Sequence, residues 1–194
     1  MSSSDRPPQP GQVSNLPGVT AYLTGHDEKT GKAVVQSKRP GNWSSYDDKL
    51  MGFDVVYTTS QFPPSLNEDE DIKKHDKLMA SNKLGLVDPG GSVCRIVDFA
   101  PGFDCMMHRT QSLYYGVVLG GSIELLLDSE QTQLMHRGDV AVQRATMHAW
   151  RNPSNTEWVR MLFVLQDCEK LKLGGKELKE DLGRGVKGLP SSWK

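Results

Sequence analysis

The chain has few cysteines, with only Cys94, Cys105 and Cys168 among its 194 residues. Their number is odd and their spacing is wide, which argues against both a disulfide framework and a C-x-x-C metal site. Such sparse cysteine usage is typical of a reducing compartment. The sequence therefore predicts a cytoplasmic protein.

The chain also lacks an excess of charge of either sign. Lys and Arg number 23, Asp and Glu number 24, and the formal net charge is -1. A nucleic-acid partner would favour a basic excess or stripe, and neither is present. No run reaches the roughly 18 apolar residues of a membrane span, and the first residues, MSSSDRPPQPGQ, have no apolar stretch typical of a signal peptide. We expect neither a nucleic-acid nor a membrane partner.

The length suits one domain with four segments. Residues 1–16 are rich in Ser, Pro and Gln and poor in apolar side chains, which predicts a disordered tail. Residues 17–90 are predicted to form an N-terminal extension with strands and one helix. Residues 91–170 are predicted to form the core, and residues 171–194 a C-terminal helix and tail.

The extension contains two β-like runs that flank a polar turn at residues 26–31, which predicts a hairpin. A third strand is predicted over residues 53–59. Residues 67–82 predict a helix, with Asn67 as its N-cap and acidic residues in its first turn. His75 on this helix is interpreted as a packing residue.

After Pro89-Gly90-Gly91 the sequence changes to short strands separated by turn residues, which is typical of an antiparallel sandwich or barrel. The predicted strands cover residues 93–99, 116–119, 122–127, 139–143, 148–152 and 159–165. The segment 175–183 predicts a short helix closed by glycine. The fold class is therefore all-β.

Two glycine-containing motifs lie in this second half. In PGFDCMMHRTQSLYYGVVLGG, Gly102 precedes His108 by six positions, and Tyr114 and Gly121 follow. In GDVAVQRATMHAWRN, Gly138 precedes His148, and Asn152 lies four residues later. The pair resembles the two signature motifs of the cupin superfamily, and the fuller wording resembles small single-domain cupins of fungal secondary metabolism.

The resemblance implies a cupin β-barrel, a double-stranded β-helix of jelly-roll type. It also implies a homodimer, in which the subunits would cover each other's exposed edge strands. In the family's motifs a second His and a Glu are usual where this chain has Thr110 and Tyr114. Two of the four usual metal ligands are therefore missing.

Two imidazoles alone do not hold a divalent metal tightly, so no cofactor is favoured. A third ligand from Asp104, Cys105 or Glu124 stays open. Should Fe, Zn, Mn or Ni bind, His108 and His148 are its expected ligands.

Alternation on strands sends the motif side chains to one face, where a barrel mouth suits one small-molecule substrate. The predicted catalytic residues are His108, His148 and Tyr114, with the two histidines as an acid–base pair. Tyr114 is either a proton donor or a ring that fills a vacated metal cavity. The predicted substrate-binding residues are Thr110, Arg144, Trp150 and Met106.

Three functions follow from these residues. The first is a lyase or isomerase that performs non-redox dehydration, decarboxylation, cyclisation or isomerisation on a polyketide-like or other secondary metabolite. The second is a metal-dependent dioxygenase or decarboxylase. The third is a metabolite-binding protein without catalysis.

Overall fold

The computed structural model describes residues 6–193, and two antiparallel sheets face each other across its core. The larger sheet has the strand order β3-β4-β5-β11-β6-β9, and the smaller has the order β10-β7-β8. The barrel strands are β3 (Trp43–Tyr46), β4 (Met51–Thr59), β5 (Ser92–Phe99), β6 (Ser112–Gly120), β7 (Ser122–Leu127), β8 (Thr132–His136), β9 (Val140–Arg144), β10 (His148–Arg151) and β11 (Val159–Asp167). The all-β barrel prediction is confirmed.

Alternation along the central strands places the apolar side chains inside the barrel. In β11 the side chains of Met161, Phe163 and Leu165 are buried, and in β6 those of Tyr114 and Val118 are buried. Aromatic rings from both sheets meet in tilted or edge-on pairs, a geometry that favours ring contacts. This packing gives the functional side chains a rigid surround.

The N-terminal extension supplies β3 and β4 at one edge of the larger sheet and also forms a separate hairpin and a helix. The hairpin prediction is confirmed by β1 (Thr20–His26) and β2 (Ala33–Pro40), which pair antiparallel. The helix prediction is confirmed by α1 (Glu70–Ser81), and His75 packs as expected, with its ring stacked 4.7 Å from that of Tyr57. The predicted cap is wrong: Asn67 begins a 3-10 turn, and the residue that precedes α1 is Asp69 in a left-handed conformation.

The described part of the predicted disordered tail, residues 6–16, packs against the barrel, so that prediction is wrong there; residues 1–5 lie outside the described residues. Gln9 accepts a 3.1 Å hydrogen bond from the indole of Trp43, and the buried Ser14 hydroxyl donates to Asp98. Polar side chains hold the segment in place. Low apolar content therefore did not predict its order.

The predicted helix over residues 175–183 is also wrong. Residues there begin with a small hairpin of β12 (Lys172–Leu173) and β13 (Lys176–Glu177). Gly174 and Gly175 both adopt positive φ, at 56° and 78°, which suits a tight hairpin turn and breaks a helix. The residues that follow cross the barrel mouth. Among residues 6–193, no helix has both the length and the apolar character needed to cross a membrane.

Candidate active site

A cavity lies between the two sheets, and its walls are mostly apolar. The space open to the centre of a water-sized sphere is about 60 Å³, which holds water but no metabolite of ordinary size. Val186 and Leu189 of the C-terminal segment line the cavity together with barrel residues. A substrate therefore needs this segment or neighbouring side chains to move aside.

His108 and His148 meet inside the barrel across an isolated β-bridge. Their backbones exchange two hydrogen bonds of 2.8 Å and 2.9 Å, and their ring centroids lie 4.4 Å apart. Each histidine lies within one of the two sequence motifs. The fold thus brings together two imidazoles that lie forty positions apart in the sequence, as predicted.

The hydrogen bonds of both rings determine which nitrogen carries the proton. His108 Nδ1 lies 3.0 Å from the carbonyl oxygen of Met106, and His148 Nδ1 lies 2.9 Å from that of Thr146. Because a carbonyl oxygen only accepts, each Nδ1 must donate. In each neutral ring Nε2 is therefore left with the lone pair.

Tyr114 completes the group from β6. Its hydroxyl lies 2.5 Å from His148 Nε2, which has no proton, so the phenol donates. The indole Nε1 of Trp150 donates to the same phenolic oxygen over 3.3 Å. The chain of hydrogen bonds therefore runs in one direction, from Trp150 through Tyr114 to His148.

Comparison with curated proteins places these motifs in a known family. Phomopsin biosynthesis cluster protein D of Diaporthe leptostromiformis is 40% identical over 169 residues, which cover 85% of this chain and 87% of the relative. The cupin-domain-containing oxidoreductase fogC of Aspergillus ruber is 37% identical over 174 residues, which cover 88% and 83%. The chain belongs to the cupin superfamily. It groups there with cupins of fungal secondary metabolism.

Comparisons with family models and with solved structures give no match or only distant ones. No family model matches the sequence of this cupin. Among solved structures, KdgF from Halomonas sp. aligns with a TM-score of 0.44 at 14% identity, over 66% of this chain and 89% of that one. The polyketide cyclase RemF from Streptomyces resistomycificus aligns with a TM-score of 0.44 at 13% identity, over 72% and 78%.

The two histidines do not face the cavity equally in this cupin. His108 and Tyr114 line the cavity, whereas His148 lies behind them and is only 1% exposed. The predicted pair of equivalent histidines is thus too simple. His108 is in a position to meet a substrate directly, and His148 contacts it only through Tyr114.

Burial keeps the whole group neutral. It lowers the pKa of His148 to about 3, with a further contribution from His108, and it lowers the pKa of His108 as well. Burial also raises the pKa of the Tyr114 phenol above its ordinary value. At neutral pH the site therefore holds two unprotonated Nε2 atoms and one phenol.

The remaining predicted residues divide into two sets. Met106, Thr110 and Trp150 line the cavity as expected, and the Thr110 hydroxyl lies 2.7 Å from that of Ser112. Arg144 does not line the cavity: it ends β9 with its side chain exposed, and its role in substrate binding stays a prediction. Its neighbour Gln143 is the inward residue at that point of the strand.

The donor set does not fit a tightly held divalent metal. No group of three potential His, Cys, Asp or Glu ligands occurs within residues 6–193. Asp104 and Glu124 both pair with Arg151 away from the cavity. Cys105 lines the cavity, but burial raises the pKa of its thiol to about 12, so no thiolate is present at neutral pH.

The charged residue of the cavity wall, Arg95, was not among the site residues predicted from the sequence. Arg95 of β5 is 3% exposed and lines the same cavity. A signal was present in the sequence, because an arginine interrupts the apolar strand VCRIVDF at an inward position, two residues before Val97.

Proposed function

We propose that this cupin is an enzyme of fungal secondary metabolism that performs redox-neutral acid–base chemistry on a polyketide-like or related small metabolite. The reaction class is dehydration, decarboxylation, cyclisation or isomerisation through an enol. One observation carries the proposal: His108, whose Nε2 is unprotonated, and Tyr114, whose hydroxyl is held by His148, line the same buried cavity.

His108 is the proposed general base. Its Nδ1 proton is held by the Met106 carbonyl, so Nε2 takes a substrate proton without any change of tautomer. Nε2 makes no hydrogen bond to any residue within the described range, so no protein group competes for its lone pair. The same nitrogen then returns the proton to a carbon or to a leaving oxygen, and the reaction needs no oxidant.

Tyr114 is the proposed partner for the oxygen of the substrate. As a proton leaves, negative charge grows on a neighbouring oxygen. The Tyr114 O–H, which donates to His148 Nε2 in the free protein, turns to that oxygen when substrate binds and stabilises the charge in a low-dielectric site. The Trp150 indole and His148 Nε2 hold the phenolic oxygen from two sides. His148 therefore positions Tyr114, and Thr110 adds a second hydroxyl on the cavity wall.

A second candidate is an oxidoreductase. Four of the similar relatives, fogC among them, carry the name cupin-domain-containing oxidoreductase. The two families of products differ in elemental composition, since redox chemistry adds or removes hydrogen or oxygen, whereas the proposed chemistry rearranges atoms or releases water or carbon dioxide. Product analysis thus separates the two functions.

The test uses the metabolite that accumulates when the gene is deleted from its fungus. Purified protein is incubated with it, and turnover is followed by mass spectrometry for the wild type, His108→Gln and Tyr114→Phe. We expect His108→Gln to lower turnover on the order of a hundredfold or more. Tyr114→Phe should lower it by about a hundredfold to a thousandfold, because the ring stays and the hydrogen bond to the substrate oxygen is lost.

The matched control is His136→Gln, since His136 is exposed and its ring makes a hydrogen bond to Ser122, away from the cavity. Circular dichroism and melting temperature separate lost chemistry from lost fold. Full turnover in the His108→Gln variant would refute the proposed acid–base function. No turnover by the wild type, together with tight binding of the metabolite, would favour a binding protein.

A further inference from the structure

A second part of the cavity carries an unpaired positive charge. Arg95 is buried, and its only hydrogen bonds to described residues run from Nη2 to the carbonyl oxygens of Gly85 and Leu86, at 2.9 Å and 2.8 Å. Its Nε atom is buried and has no hydrogen-bond partner. Two carbonyl dipoles satisfy one nitrogen but leave the net charge of the guanidinium without a counter-charge.

The other buried arginine of the described chain shows the usual arrangement. Arg160 donates to both carboxylate oxygens of the buried Asp98, at 2.6 Å and 2.7 Å. Buried charges are normally paired in this way, because an isolated ion in the interior loses its hydration. Arg95 forms no ion pair within residues 6–193; it is instead stacked 5.3 Å from the ring centre of Phe53.

The position of Arg95 explains how a ligand reaches it. Arg95, Phe53 and Leu189 line both the apolar cavity of the proposed active site and an adjoining, more polar cavity. The polar cavity also contacts Ser44 and Asn82, whose side chains are more exposed. The guanidinium therefore stands at the boundary between an outer polar space and the inner apolar one.

We propose that Arg95 binds a carboxylate of the substrate, while the apolar part of that substrate extends into the cavity toward His108 and Tyr114. An incoming carboxylate supplies the missing counter-charge and an acceptor for the orphan Nε–H. The rest of the ligand must be apolar, because the inner walls are. The assignment deepens the proposed function, and it names the substrates as apolar carboxylic acids.

The physical state of the free protein agrees with this assignment. Burial lowers the pKa of Arg95 to about 10, which reflects the cost of holding the charge without a partner. The guanidinium nevertheless stays charged at neutral pH.

Binding of simple probes tests the assignment without knowledge of the natural substrate. Benzoate, cinnamate and hexanoate are titrated into the full-length protein by calorimetry, each beside its neutral amide. We expect at least one carboxylate to bind the wild type tenfold or more tightly than its amide. Arg95→Met, which keeps length and removes charge, should abolish that preference.

A stability readout accompanies the binding data. Since Arg95 has no ion pair in the free protein, Arg95→Met loses two hydrogen bonds to carbonyl oxygens but leaves no opposite charge buried, so it should melt only slightly below the wild-type temperature. Arg160→Met is the matched control, and it should melt well below it, because Asp98 is left buried without its cation. Should Arg95→Met fail to fold, Arg95→Lys serves instead, with the carboxylate preference weakened but present.

Three outcomes would overturn the assignment: equal binding of every acid and its amide by the wild type, a preference that survives in Arg95→Met, or a marked loss of melting temperature in Arg95→Met alone. The proposed function fails separately. An Arg95-dependent carboxylate preference beside full turnover in His108→Gln would keep this site and refute the acid–base mechanism.

Discussion

Replacing Ser14 with alanine should destabilise the barrel, although Ser14 lies in a polar N-terminal segment, 84 residues before its partner Asp98 in β5. Its hydroxyl donates to Asp98 Oδ2, and the Asp98 side chain is fully buried in β5. Arg160 supplies the other two donors to this carboxylate. The alanine variant thus removes one of three hydrogen bonds to a buried charge.

The expected loss follows from that arrangement. A hydrogen bond to a charged group contributes about 1.5–3 kcal/mol, and bulk water does not replace the lost donor because Asp98 is fully buried. For a chain of this size each kcal/mol lowers the melting temperature by about 2–4 °C, so Ser14→Ala should melt about 3–12 °C below the wild type. Deleting residues 1–16 should cost more, because the Gln9 contact with Trp43 is lost as well.

Differential scanning calorimetry and urea unfolding measure this loss. Asn15→Ala is the control, since Asn15 is the next residue and its side chain is exposed. Its melting temperature should stay within about 1 °C of the wild type. A Ser14→Ala protein that melts with the Asn15→Ala control would refute the packing of the N-terminal segment.

Three further predictions concern other parts of the chain. Ala145 has a φ of 53°, so Ala145→Gly should raise the free energy of unfolding by about 0.5–1 kcal/mol in urea titrations, and a loss would contradict this. The pKa of His148 is about 3 in the folded state against 6.5 in the unfolded state, so its contribution to stability should be complete above pH 6.5 and fall progressively below it. In pH-dependent unfolding, His148→Gln should flatten that fall, whereas His26→Gln, at an exposed position, should not. Val140 and Val142 are exposed on the edge strand β9, and we expect a second copy of the chain to cover them in a homodimer. Light scattering should then give twice the chain mass of 21.5 kDa for the wild type and the mass of a monomer for Val142→Lys. A monomeric wild type would contradict the dimer.

The barrel and the histidine pair were predictable because their signals are local. Alternating apolar residues mark the strands, and the fixed spacing from glycine to His108 and to His148 places both on facing segments. Inward parity also predicted Met106 and Thr110 correctly, while the parity of Arg144 is outward because Gln143 precedes it on the inward face.

Features that depend on distant partners were not predictable in this way. The order of residues 6–16 comes from hydrogen bonds to Trp43 and Asp98, which no local pattern reveals. The position of His148 behind the cavity wall depends on Tyr114, which belongs to another strand and contacts it there. The helix predicted at residues 175–183 does not form, because the adjacent glycines Gly174 and Gly175 adopt positive φ where it would begin.

The most direct test of the proposed chemistry is the elemental composition of substrate and product. The metabolite that accumulates in the deletion strain is converted by purified wild-type protein, and both are measured by high-resolution mass spectrometry. Acid–base chemistry at His108 and Tyr114 predicts an isomer, or the loss of water or carbon dioxide, with no added oxidant. A product that differs by two hydrogens or by an oxygen atom would contradict it.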